Sequence, residues 1–172
     1  GSLTGKIEIS GTQGHVAYPH LSNNPINTLV SICKKLKEKK LDNGNKNFQP
    51  SNLEITAINV DNKAHNVIPA RAKAQFNVRY NNFHNASTLK KKINLVVKNN
   101  CEKNKCKFKI EFIANGDSFL TKPEKTIFMA KKIIKKVTKI TPKFSTTGGT
   151  SDARFIRKIA PCLEFGLVNK TM

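Results

Sequence analysis

Tryptophan is absent from this chain, and tyrosine occurs only twice. Arginine is almost as scarce: of the 31 basic residues only Arg71, Arg79, Arg154 and Arg157 are arginine, and the rest are lysine. Acidic residues number 11, which leaves a formal charge of +20. No apolar run approaches the roughly 20 residues of a membrane-spanning helix, and even Ile93 to Val97 is interrupted by Asn94, so no membrane partner is expected. No charged-then-apolar leader opens the chain, which starts at Gly1 rather than Met. There is no Walker loop and no Gly-x-Ser-x-Gly nucleophile elbow. No two carboxylates stand close enough in sequence for a paired acid/base site. The four histidines show no metal-ligand spacing.

Such a charge raises nucleic acid as a partner. A phosphate- or base-reading surface recruits arginine for its bidentate fork, whereas here lysine is scattered over the whole chain beside 20 asparagines. That pairing is what AT-rich codons produce, so no nucleic-acid partner is expected. Four cysteines in 172 residues fit reduced, buried thiols and a cytoplasmic protein. Cys33 and Cys162 lie in apolar patterns. Cys101 and Cys106 flank a turn-like segment, where a disulfide or zinc role is the less favoured alternative.

The length allows one domain, or a small domain plus part of a second. Lys6 to Ser10 alternates polar and apolar and reads as a strand. Gly11 to Asn24 is a loop. Pro25 suits a first helical turn, and apolar residues then follow helical spacing to about Lys40. Strands follow at Leu53 to Val60 and Ala72 to Tyr80, a helix from Ala86 to about Lys98 capped by Asn85, and a strand from Cys106 to Ile113. The order βαββαβ over residues 1–115 is an α+β, ferredoxin-like arrangement, an antiparallel sheet with both helices on one face. Residues 116–172 have another rhythm. Thr126 to Lys139 is a helix with Ile127, Ala130, Ile133, Ile134 and Val137 inward. Lys143 to Thr146 is a short strand, Thr147 to Asp152 a turn leading into a helix through Ile159, and Cys162 to Phe165 a strand. This half-built α/β tail lacks a full sheet and reads as part of a larger domain.

Four constellations carry chemistry. Glycines around His15 hold an imidazole in an exposed loop, where it can donate to a developing oxyanion or carry a proton; a plain surface histidine is the alternative. Asn66, in Ala-His-Asn-Val-Ile-Pro, joins a loop to a strand, as a turn-forming asparagine would. Arg79 lies on the strand face opposite Val78 and Tyr80, an arginine where lysine is the rule, which points to a carboxylate. Gly148, Gly149, Thr150 and Ser151, followed by Arg154, place adjacent glycines before a helix start, an arrangement that presents backbone N–H groups to an anion; a glycine turn capped by Ser151 is the alternative.

Taken in order, these segments resemble the dinuclear-zinc aminoacylase/carboxypeptidase family: Gly-His-Val-Ala-Tyr-Pro-His-Leu with Asn24-Pro25, Asn-Val-Ile-Pro-Ala, Phe-Asn-Val-Arg-Tyr, Phe-Leu-Thr-Lys-Pro, Gly-Gly-Thr-Ser-Asp-Ala-Arg-Phe, and Glu164-Phe-Gly with Asn169. The resemblance covers essentially the whole chain. It implies that residues 1–115 are a lid domain forming a homodimer and that residues 116–172 are part of a catalytic domain. It implies that His15 reaches the partner's active site and hydrogen-bonds the scissile carbonyl oxygen. Tyr18, Asn66 and Arg79 would hold a small tricarboxylate amide substrate. Gly148, Gly149 and Thr150 would line the pocket, with Ser151, Arg154 and Asn169 beside them. Residue His65 stands where relatives carry asparagine, which alters one contact. Two zinc ions would serve the intact enzyme. Their ligands would lie before Gly1 and shortly after Met172, so this chain alone is expected to bind no catalytic zinc and to be inactive. The competing readings are a sister deacylase of the family, a basic nucleic-acid-binding module, which lacks the aromatic pattern such sheets need, and a purely dimerising domain.

Overall fold

The computed structural model describes residues 1–121, 124–147, 149 and 151–166. The chain forms two compact units, Gly1–Ser118 and Phe119–Met172.

The first unit is built on four long strands: β1 (Ser2–Ser10), β3 (Asn52–Asn59), β5 (Arg71–Arg79) and β6 (Lys107–Ala114). They pair antiparallel in the order β3-β5-β1-β6. Two helices, α1 (Pro25–Glu38) and α2 (Ala86–Lys103), contact one another and the sheet. This is the split βαβ: β5 is inserted between β1 and β3, the strands that α1 connects. A two-stranded ribbon, β2 (Gly14–His15) with β4 (Val67–Ile68), completes the unit.

Alternation decides which face of the sheet is buried. On β5, Ala72, Ala74, Phe76 and Val78 are buried while Arg71, Lys73, Gln75 and Arg79 face outward. On β1, Leu3, Ile7 and Ile9 join them. Against this face pack Leu29, Ile32, Cys33 and Leu36 from α1 and Leu89, Ile93, Val97 and Cys101 from α2. These helix residues recur at intervals of three and four, so each forms one apolar stripe. Gly5 sits between Phe76 and Phe112 in the register. A Cβ there would lie 2.0 Å from the Phe76 ring, so glycine is what lets that ring cross β1. Phe76 and Phe112 meet edge to face at 6.3 Å.

The helix starts are set locally. Asn24 Oδ1 accepts from the Ile26 N–H at 2.9 Å, with Pro25 supplying a preset first turn. Asn85 and Thr88 form a reciprocal capping box on α2.

Several expectations need correction. Strand β1 starts at Ser2, well before Lys6, and α2 runs a turn past Lys98, because buried Asn100 is hydrogen-bonded by Lys35 Nζ at 2.7 Å. In the second unit Lys143–Thr146 and Cys162–Phe165 are not strands. An extended segment becomes a strand only by pairing, and the described residues offer them no partner. Helix α3 (Lys125–Thr138) forms as expected, but only Ile127 of its inward set is fully buried. Ile133 and Val137 are 54% and 75% exposed, since the described residues of this unit form no sheet for the stripe to cover. Helix α4 (Ala153–Ile156) is a single turn and stops short of Ile159.

Candidate functional site

His15 is positioned by the ribbon. Beyond the Ser10–Arg71 pair, the Gly11 N–H donates to Ala70 O at 2.9 Å, and the ladder resumes at Gly14–Ile68 and His15–Val67. Gly11 is needed for a close approach: a Cβ would fall 1.9 Å from Asn23 O, where the loop doubles back. The Val16 N–H then donates to Asn66 O at 3.1 Å. This bond and the His15–Val67 pairing place His15 and Asn66 side by side although 51 residues separate them. The loop before Asn66 is held by Asn62, whose Oδ1 accepts from Ala64 N–H and whose Nδ2 donates to Val67 O.

The histidine's hydrogen bonds choose its tautomer. Nδ1 accepts from the Ala17 N–H at 3.1 Å, so the neutral ring carries its hydrogen on Nε2. Nε2 faces the Asn66 amide at 3.4 Å. The amide atom at that distance is Nδ2, itself a donor, so with the hydrogen on Nε2 the two groups do not satisfy one another and Nε2–H is left for an acceptor such as an oxyanion. Tyr18 stands beside His15 at a ring distance of 6.1 Å and is 57% exposed. The ribbon therefore presents an exposed N–H donor with an amide and a phenol beside it.

Arg79 lies elsewhere. It is exposed, paired across the sheet with Ser2 and Asn52. His15 extends from the other end of the β1–β5 ladder, past Arg71. The length of β5 alone separates these ends by roughly 26 Å. One copy of the chain does not bring Arg79 to the His15 cluster.

In the second unit, Ser151 Oγ accepts from the Ala153 N–H at 2.9 Å and donates to a Glu164 carboxylate oxygen. The residue at the N-cap of α4 is Asp152 rather than Ser151. A single turn builds no appreciable dipole, so α4 itself adds little to the hold on an anion there. Gly149 has open space where a side chain would be. Arg154 stacks its guanidinium on Phe155 at 4.6 Å, and its Nε is a buried donor with no hydrogen-bond partner. Gly148, Thr150 and Asn169 lie outside the described residues.

A second polar cluster had no sequence signature. Asp42 Oδ1 accepts from the Gly44 N–H at 2.6 Å, Asn81 Nδ2 at 2.7 Å and the Ser51 N–H at 3.2 Å. Its Oδ2 meets His84 Nε2 at 3.1 Å, and both side chains are over nine-tenths buried. Burial alone would push the Asp42 carboxyl up; hydrogen bonds from Ser51, Gly44 and Asn81 outweigh it and hold the pKa at about 2. Among the described residues the partners of this cluster are groups of the same unit, which marks it as a clamp on the loop between α1 and β3. Asp42 and His84 are over 40 residues apart in sequence, so no spacing rule pairs them.

The fold and the site define a split-βαβ module whose ribbon carries an exposed histidine, followed by a second unit whose described residues include two helices. The chain belongs to the peptidase dimerisation domain family, whose model matches residues 1–105. It is 58% identical over its whole length to succinyl-diaminopimelate desuccinylase of Pelagibacter ubique, covering 45% of that protein. It is 46% identical to the enzyme of the same name from Rickettsia bellii over 99% of the chain and 44% of the relative. The chain thus spans a little under half the length of the curated relatives it matches. Among solved structures, 91% of it superposes on aminopeptidase PepT from Bacillus cereus with a TM-score of 0.72 at 15% identity, covering 40% of that chain. A putative aminohydrolase from methicillin-resistant Staphylococcus aureus matches 94% at a TM-score of 0.71 and 18% identity, covering 41% of that chain. At such identities these two establish the fold alone. Among the described residues no helix is long and apolar enough to cross a membrane.

Proposed function

We propose that this chain is the dimerising lid, with an adjoining piece of the catalytic domain, of a zinc-dependent amidohydrolase that cleaves N-succinyl-LL-2,6-diaminopimelate to succinate and LL-diaminopimelate in the cytoplasm. The observation that carries the reading is the locked tautomer of His15. Its Nδ1 is occupied by a backbone N–H, so Nε2–H is the ring's donor, beside the Asn66 amide. When water adds to an amide carbonyl, charge grows on the oxygen, and a preorganised donor there stabilises the transition state more than the substrate.

The substrate class follows from the other groups. Three carboxylates need cationic and N–H partners. Arg79 is an exposed guanidinium, and Arg154 has a buried Nε–H without an acceptor. Asn66 and Tyr18 flank the histidine and would orient the scissile amide. Gly148, Gly149, Thr150, Ser151 and Asn169 are assigned to the catalytic-domain side of the pocket by the family resemblance. The separation of His15 from Arg79 supports a homodimer in which the histidine of one copy serves the site of the other.

Zinc would supply the nucleophilic water in the intact enzyme. Among the described residues no group of three or more His, Cys, Asp or Glu could hold a metal ion. The described residues do not fit a zinc pair, and by the family resemblance the ligands would lie outside this portion.

The test is His15→Ala in the full-length, zinc-loaded protein with N-succinyl-LL-diaminopimelate as substrate. Loss of one oxyanion donor should lower kcat by about 10²–10³-fold with a much smaller change in KM. An unchanged kcat would end the oxyanion role. Faster turnover of N-acetylornithine than of the succinyl substrate would move the protein to the sister deacetylase with His15's role intact.

A further inference from the structure

Cys101 and Cys106 take no part in the reading above, and both are buried, at 1% and 9% exposure. Their placement follows from how α2 ends. The Cys106 N–H donates back to Cys101 O at 2.9 Å, and the Lys105 N–H to Glu102 O at 3.2 Å, with Lys105 left-handed at φ 52°. That pair of bonds is a Schellman cap, a motif that brings its first and last residues close together. Here both of those residues are cysteines. The 2.9 Å backbone bond holds the two residues at the close approach a disulfide needs, about 4.4–6.8 Å between Cα atoms.

The two thiols differ in access. Beside the cap is a cavity of about 330 Å³ lined by Asn24, Asn27, Thr28, Lys103, Asn104 and Lys105, together with Ser22 and Asn23. Cys106 lies directly behind this lining, its Sγ 3.5 Å from Thr28 Oγ1 and 3.5 Å from Asn104 O. Both thiols belong to the core cluster with Leu89, Ile93 and Val97, and Cys101 is the more enclosed, at 1% exposure against 9%.

We infer that Cys101 and Cys106 form a reversible intrachain disulfide when a small peroxide enters this cavity, Cys106 reacting first and Cys101 resolving it. In the first step the Cys106 thiolate attacks one peroxide oxygen, the O–O bond breaks, and Cys106 sulfenic acid and hydroxide form. Lys103 and Lys105 line the cavity beside Cys106. In the second step the Cys101 sulfur attacks the Cys106 sulfur, the S–O bond breaks, and water leaves with the Cys101 proton. The two sulfurs give up two electrons, and one peroxide becomes two waters. The order fits the deeper burial of Cys101. Burial, and then the neighbouring Cys106, push the Cys101 pKa up to about 11, which makes it a poor first nucleophile.

The experiment exposes the 172-residue chain carrying Cys162→Ser to a few equivalents of hydrogen peroxide. Free thiols are then alkylated and the protein is digested and weighed. The expected result is a loss of about 2 Da in a peptide joining Cys101 to Cys106, reversed by dithiothreitol. With Cys101→Ser added, Cys106 should be trapped as sulfenic acid by a dimedone-type reagent. With Cys106→Ser added, Cys101 should remain an alkylatable thiol under the same exposure. Full alkylation of both cysteines after peroxide, or oxidation confined to Cys33, would overturn the inference. The disulfide map needs neither of these added variants, so it decides even if one of them fails to fold.

Discussion

Asp42 shows how a single side chain organises a long loop. Its two oxygens gather Gly44, Ser51, Asn81 and His84, and so tie the loop after α1 to the end of β5. The folded carboxyl titrates near 2, against 3.8 for an unperturbed one. The folded state therefore binds this proton more weakly than the unfolded state. Its contribution is complete above pH 4 and drains away as pH falls through 2. The difference amounts to about 2 kcal/mol. Urea melts between pH 5 and pH 2 should show a stability loss of that order which Asp42→Asn, already destabilised by about 1–3 kcal/mol, does not repeat. A variant as stable as the parent at pH 7 would contradict the clamp.

At the scale of elements, legibility follows periodicity. The alternation in β5 and the three-and-four spacing of α1 were readable because each buries one face. Strand β1 was read short because Gly5 interrupts its alternation, and the reason for that glycine is the Phe76 ring on a distant strand. The β2–β4 ribbon has two residues on each side, too few for any period, yet it positions His15. Two expected strands in the second unit failed because pairing, which no local pattern encodes, was missing. His15, Asn66 and Tyr18 were legible as motif residues. That His15 and Asn66 adjoin and Arg79 stands apart depends on the ladder.

The α2 cap gives a test at this scale. Lys105 holds a left-handed conformation that disfavours side chains. Lys105→Gly should stabilise the first unit by about 0.5–1 kcal/mol, seen as a higher denaturant midpoint at unchanged slope. A lower midpoint would mean that the lysine side chain holds the cap.

For the whole molecule, the first unit encloses its own core, whereas the second leaves Phe128, Met129, Ile133, Val137 and Ile159 at 50% exposure or more. Patches of that kind mark surfaces covered by other protein, in keeping with a chain that spans under half of its relatives' length. The separation of His15 from Arg79 has a sharper consequence. If each active site takes Arg79 from one copy and His15 from the other, two defective variants can repair one another in a mixed dimer.

The decisive measurement is therefore complementation. Full-length His15→Ala and Arg79→Ala proteins, each nearly inactive alone, are mixed in equal amounts and allowed to exchange subunits. Half of the dimers become mixed, and one site of each regains both residues, so activity should rise to about a quarter of the parental value. Activity that stays at the level of the two separate variants after exchange would show that one copy supplies both groups, and the shared-site account would be wrong.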